Sequence, residues 1–190
     1  FNFSDCFHMF DLSKTGYVTR RQFEEVYNLL QLYPSTLEVQ LTLYRYDQDL
    51  NGKISEEEFK EAVLSHDANY RDLVLKRQSY CTGMNHARLS FFLDTTTAKL
   101  KQTLQLLIST EMRCERVRQT LNKRKHFDID KAFEAISVTV NDKPVVGDFA
   151  CITKDDISCF LIHRGYTPSN RQVDLFFNRL KRYNTGEPRL

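Results

Sequence analysis

Apolar residues recur at helical spacing in several separate blocks of the chain. Leu43 and Tyr46 stand at i and i+3 before a polar stretch, and Phe59, Ala62 and Val63 resume the spacing after it. Phe7 and Phe10, followed by Phe23, draw the same outline upstream. Phe133 and Ile136, followed by Ile152 and Ile157, draw it a third time, and Phe177 and Leu180 open a fourth. In that last block Gly165 is expected to close one helix, Thr167 to cap the next and Pro168 to take its first turn. Val173, Phe176, Phe177 and Leu180 would then form its apolar stripe. The longest pattern is Leu100, Leu104, Leu107, Cys114, Val117 and Leu121, with no Gly or Pro to interrupt it. It predicts a helix from about 95 to 124, roughly 45 Å long at 1.5 Å per residue. Residues 65–93 are polar and broken and read as a linker, in which Leu73, Val74 and Leu75 extend a helix or pack locally.

Between the second pair of blocks lies YDQDLNGKISEEEF, residues 46–59. Asp47, Asp49, Asn51, Gly52 and Glu58 fill the pattern D-x-[DN]-x-[DN]-G-x5-E in full. The spacing has a physical basis. Calcium is a hard cation that takes about six to eight oxygens, delivered from alternate positions of a short loop. Asp47, Asp49 and Asn51 would supply side-chain oxygens, Lys53 its backbone carbonyl, Ser55 a contact that often runs through water, and Glu58 both carboxylate oxygens. Gly52 sits where the chain turns sharply, at a φ that other residues adopt at a cost. Ile54 is placed to form a short strand with a partner loop.

This loop and its apolar flanks resemble the EF-hand superfamily, whose hands come in pairs. The first pair would be completed by DLSKTGYVTRRQF, where Asp11, Ser13, Thr15, Gly16, Val18 and Gln22 stand at the matching positions. Only Asp11 is an acidic ligand there, so the frame is expected to serve mechanically, with Val18 pairing against Ile54. The third hand is stretched: Asn141, Asp142 and Asp148 lie in an insertion, no glycine holds the turn, and Asp156 replaces the final Glu. Pro144 and its Val-rich flanks point to a small hairpin or contact surface in its place. The fourth would begin its loop with Lys181, which repels a cation, and the sequence ends within it. The resemblance therefore implies an all-α fold of two EF-hand-pair lobes joined by a linker and a long basic amphipathic helix. Residues 1–64 would be the N-terminal pair, 65–93 the linker, and 94–190 the long helix plus a degenerate pair. The layout is similar to that of calmodulin- and troponin C-like proteins, and the long helix before a degenerate pair resembles ciliary and flagellar axonemal EF-hand proteins.

Composition sharpens this only in places. The 190 residues include 14 Phe and no Trp, which suits lobes whose loops are flanked by aromatic rings. No apolar run is long enough for a membrane span. The start, FNFSDCF, lacks an initiator Met and a signal-peptide shape, and both ends cut into hands, so a longer protein is expected. Five cysteines without CxxC spacing fit reduced thiols in a cytoplasmic protein and offer no zinc cluster. Residues 1–64 carry 11 acidic and 6 basic side chains, residues 65–190 carry 14 and 21. Much of that basic excess follows residue 112, in Arg113, Arg116, Arg118, Lys123, Arg124 and Lys125.

Two roles are open to the long helix. Its stripe packs on the C-terminal lobe with a solvated basic face, or it is an interaction element for a calmodulin-like groove, an acidic tubulin surface or an anionic membrane. Nucleic acid is not expected, since the basic run lacks interleaved aromatics. His8, His66, His86, His126 and His163 are scattered, and no P-loop, GxSxG or HExxH is present, so no catalytic residues are expected. The functional expectation is a non-catalytic calcium-binding interaction protein with one competent site. Ion binding would reorient the flanking helices and expose a groove lined by Phe7, Phe10, Phe23, Tyr46 and Phe59 to a protein partner. The alternatives are a structural adaptor of a microtubule or axonemal assembly, in which calcium is incidental, and a regulatory fragment of a larger protein.

Overall fold

The computed structural model describes residues 1–79, 92–137 and 152–180. Among the described residues the protein is nine helices and one two-stranded sheet, divided into two compact units at Gln119/Thr120.

The first unit opens with α1 (Phe3–Phe10), β1 (Tyr17–Thr19) and α2 (Arg20–Leu29), and the same order repeats as α3 (Thr36–Tyr46), β2 (Lys53–Ser55) and α4 (Glu56–Val63). Side-chain caps set where the helices start. Thr19 and Gln22, Ser35 and Glu38, and Ser55 and Glu58 each form a reciprocal box at the head of α2, α3 and α4. Each box satisfies backbone donors that the first helical turn leaves without partners. The strands are antiparallel, with Val18 opposite Ile54 as the matched frames predict. Both side chains are buried, so the ladder also ties the two loops to the core.

That core is aromatic. The ring of Phe59 lies 4.9 Å from Phe10 and 5.5 Å from Phe7, and Phe23 lies 4.5 Å from Tyr27, centroid to centroid. Such pairs contribute about 0.5–1.5 kcal/mol each beyond the area they bury. Cys6 is fully buried beside them; burial, with Asp5 adjacent, pushes its thiol far above the ordinary range, so it packs as a small hydrophobe.

Two further helices complete this unit. The stretch read as linker contains α5 (Ala68–Leu75), capped by Asp67 and with Val74 packed on the core. The long predicted helix is α6 (Asp94–Asn122), whose Leu100, Leu104 and Ile108 are buried with the aromatic rings of the first four helices. Of the two roles left open for this helix, packing of its stripe on the C-terminal lobe is thereby corrected: the buried residues pack on the N-terminal pair. The stripe itself is also shorter than expected. Leu100 and Leu104 are joined by Ile108 and Glu111 on the buried face, whereas Val117 is 67% exposed and Leu121 37%. A helical stripe specifies which face is buried but not by what, and the partner here is the lobe on its N-terminal side.

The second unit holds α7 (Ile129–Ser137), α8 (Lys154–His163) and α9 (Asn170–Leu180). Ile152, Ile157, Val173 and Phe177 form its core, with Phe133, Ile136 and Leu161 packed against them. Thr153 and Asp156 cap α8 with the same kind of box, and Lys154 Nζ reaches Asp174 Oδ1 of α9 at 2.6 Å. Gly165, at φ 84°, ends α8 as predicted. The cap of α9 is Ser169, not Thr167. Gln172 stands three residues after Ser169 and accepts its N–H at 2.8 Å, which completes a box Thr167 cannot form. Of the predicted stripe, Val173 and Phe177 are buried, while Phe176 and Leu180 are 48% and 41% exposed. The insertion with Asn141, Asp142, Pro144 and Asp148, and the loop from Lys181, lie outside the described residues.

Candidate metal centre

Asp47 closes α3, its N–H bonded to the Leu43 carbonyl at 2.8 Å, and its side chain turns into the loop that follows. The carboxylate accepts from the Asn51 N–H at 3.1 Å and the Gly52 N–H at 2.8 Å. Gly52 reaches that carboxylate with φ at 79°, and Leu50 also stands at positive φ, 57°. Asp49 accepts from the Asn51 amide at 2.7 Å, and the Asn51 side-chain oxygen accepts from the Lys53 N–H at 2.8 Å. At the far end Glu58 uses its oxygens separately. Oε1 accepts from the Gln48 N–H at 2.6 Å, and Oε2 accepts from the Ser55 N–H and hydroxyl, both at 2.8 Å.

Asp47, Asp49 and Glu58 thereby converge, each offering an oxygen within 4.8 Å of the others. Asp47 and Glu58 are buried and Asp49 is exposed. Burial is the main reason the Asp47 carboxyl is held above its ordinary range; hydrogen bonding to Asp49 and the charge of Glu58 push the same way, against the Gly52 and Asn51 amides. Three crowded carboxylates with hard oxygen donors suit a divalent cation, which would remove that repulsion. Asn51 and Lys53 join the acids through hydrogen bonds: Asn51 is tied directly to Asp49, and Lys53 to Asn51. The Lys53 ammonium points elsewhere, 5.7 Å from the Tyr17 ring.

The first loop keeps the backbone and changes the chemistry. Lys14 and Gly16 stand at φ 55° and 81°, matching Leu50 and Gly52. Asp11 is buried and accepts from the Ser13 and Thr15 hydroxyls, both at 3.1 Å, and from the Gly16 N–H at 2.7 Å. Gln22 donates its amide N–H to Ser13 Oγ at 3.1 Å. Burial acts to raise the Asp11 carboxyl, but hydrogen bonds from Ser13, Thr15 and Gly16 outweigh it and hold the carboxyl below its ordinary range. A lone carboxylate is thus satisfied by neutral donors where the second loop gathers three acids. Neither the Gln48 amide on Glu58 nor the pairing of Glu111 with Arg45, Oε1 to Nε at 4.0 Å, was read from the sequence. Backbone donors carry no residue signal, whereas Glu111 lies on the helical face of Leu104 and Ile108 and was legible there.

Residues 3–64 match the family model of the EF-hand domain pair, which supports the EF-hand reading of this segment. No curated protein matches the chain. Among the described residues no helix is long and apolar enough to cross a membrane.

Proposed function

From an EF-hand pair with one acid-rich loop, we propose that the protein is a non-catalytic calcium-binding interaction protein. Calcium would be held at Asp47, Asp49, Asn51, Lys53 and Glu58, with Lys53 contributing its backbone carbonyl. The observation that carries this reading is the convergence of Asp47, Asp49 and Glu58 within 4.8 Å, in a loop tied by β1 and β2 to the aromatic core. The first loop contributes rigidity rather than a second ion, because Asp11 is already satisfied by Ser13, Thr15 and Gly16. Terbium tests the site, since it takes oxygen ligands like calcium and is excited through a nearby tyrosine, here Tyr46. One luminescent site per chain, displaced by calcium and lost in Glu58→Gln, is expected; luminescence that survives Glu58→Gln counts against the assignment.

A second reading is favoured by the far end of α6. On α6, Arg113, Arg116 and Arg118 are exposed. Such a surface fits an acidic partner, and a cytoplasmic microtubule or axonemal lattice is the cytoskeletal form of it. In this reading the protein is an adaptor and calcium is incidental. Co-sedimentation with microtubules, equal in calcium and in EGTA, is its expected result; no co-sedimentation in either removes it.

A further inference from the structure

The groove that an EF-hand pair would offer to a partner helix is already filled by α6 of the same chain. Leu104 is 1% exposed, and with Leu107 it closes an apolar pocket whose other walls include Leu43 and Tyr46 of α3 and Phe59 and Val63 of α4. Those two helices flank the acid-bearing loop. The Tyr27 hydroxyl, itself buried, donates to the Leu104 carbonyl at 3.4 Å. About two helical turns beyond Leu104, the buried Glu111 faces Arg45, two residues before the first loop acid, Asp47. Leu100, Leu104, Ile108 and Glu111 thus form one face that contacts the pair and reaches the helix leading into the loop.

We propose that α6 is the built-in target of the EF-hand pair, and that its docking and calcium binding at the second loop strengthen each other. The inference rests on the calcium reading above. Its direction follows from one juxtaposition. The loop acids converge within 4.8 Å while α6 is docked on the two helices that carry their loop, so the docked arrangement presents an ion-ready set. A ligand that binds one state more tightly shifts the population toward it, and the coupling acts equally in both directions. Calcium therefore tightens α6 onto the pair, and weakening the α6 contact weakens calcium binding. This also offers a way for a pair with one competent loop to bind: the tethered helix supplies, at the high effective concentration of an intramolecular segment, cover for the apolar surface that a partner would otherwise have to bring.

The experiment uses the full chain in two measurements. Calorimetric calcium titration compares it with Leu104→Ala, and hydrogen exchange follows residues 104–111 with and without calcium, using α9 as the internal reference. Expected are slower exchange at 104–111 on adding calcium, no change in α9, and calcium binding about tenfold weaker in Leu104→Ala, inside the roughly 5–150-fold span of such couplings. Hydrogen exchange needs no variant, so it decides the matter even where Leu104→Ala does not fold. Calcium heat in the unsubstituted chain with unchanged exchange at 104–111 overturns the coupling and leaves the calcium site standing. Faster exchange overturns it as well, because calcium would then be releasing the helix. An absence of calcium heat in the unsubstituted chain overturns the site and the coupling together.

Discussion

Gln22 and Glu58 hold the same place in their two loops and do the same local work. Gln22 Oε1 accepts from the Thr19 N–H at 2.8 Å and hydroxyl at 2.7 Å; Glu58 Oε2 accepts from the Ser55 N–H and hydroxyl, both at 2.8 Å. The cap is common to both residues, and only Glu58 adds a charge to a neighbouring acid cluster.

Glu58→Gln should therefore remove ion binding and leave the fold intact. Gln22 demonstrates that an amide oxygen caps such a helix, so the cap survives; the Gln48 N–H, which donates to Glu58 Oε1 at 2.6 Å, loses its acceptor, and a metal-free cost of about 1–3 kcal/mol is expected. Urea unfolding in EGTA checks the second half; a larger loss would mean that the carboxylate charge carries the fold.

The converse substitution should create a site. The first loop retains the backbone turn, with Lys14 and Gly16 at positive φ. Ser13→Asp with Gln22→Glu replaces the hydrogen-bonded pair at 3.1 Å by two acids beside Asp11. A second calcium ion per chain is expected in equilibrium dialysis, and a stoichiometry unchanged from the parent rejects the idea that charge alone was lost.

Asp11 gives a pH signature. Its folded carboxyl is depressed below the ordinary value of 3.8, so its contribution is present above that value and fades as pH falls through the lower folded one. Asp11→Asn should cost about 1.5–3 kcal/mol near pH 6, as for hydrogen bonds to a charged group. The penalty should shrink below about pH 4, the usual range of a free carboxylate. Denaturant midpoints of parent and variant across that range test it, and a penalty independent of pH would rule out the charge.

The strand pair sets the fourth expectation. Ile54 is 2% exposed and opposite Val18. Ile54→Ala should cost about 2–5 kcal/mol, as for buried aliphatic truncations. Thermal unfolding followed by circular dichroism reads it; a shift near zero would mean the loops are held from elsewhere.

The first pair was legible because its signals are local. Loop acids at fixed spacing, a glycine at the turn and β-facing Val18 and Ile54 each act within a few residues, and the paired strands follow from equal frames. The errors arose where a local signal needed a distant partner. Leu100 and Leu104 announced a buried face, but neither role left open for the helix, packing on the C-terminal lobe or contacting a partner, named the N-terminal lobe as its cover. Glu111 was passed over because an acid on an apolar face looks like a break in the stripe until Arg45 is seen opposite it. Thr167 and Ser169 are both competent caps by type, and only Gln172 at the third position decides between them.

The most direct measurement is calcium titration calorimetry of the 190-residue chain beside Glu58→Gln. The account predicts one binding event per chain that disappears in the variant. Two events, none, or one that persists in Glu58→Gln would contradict it.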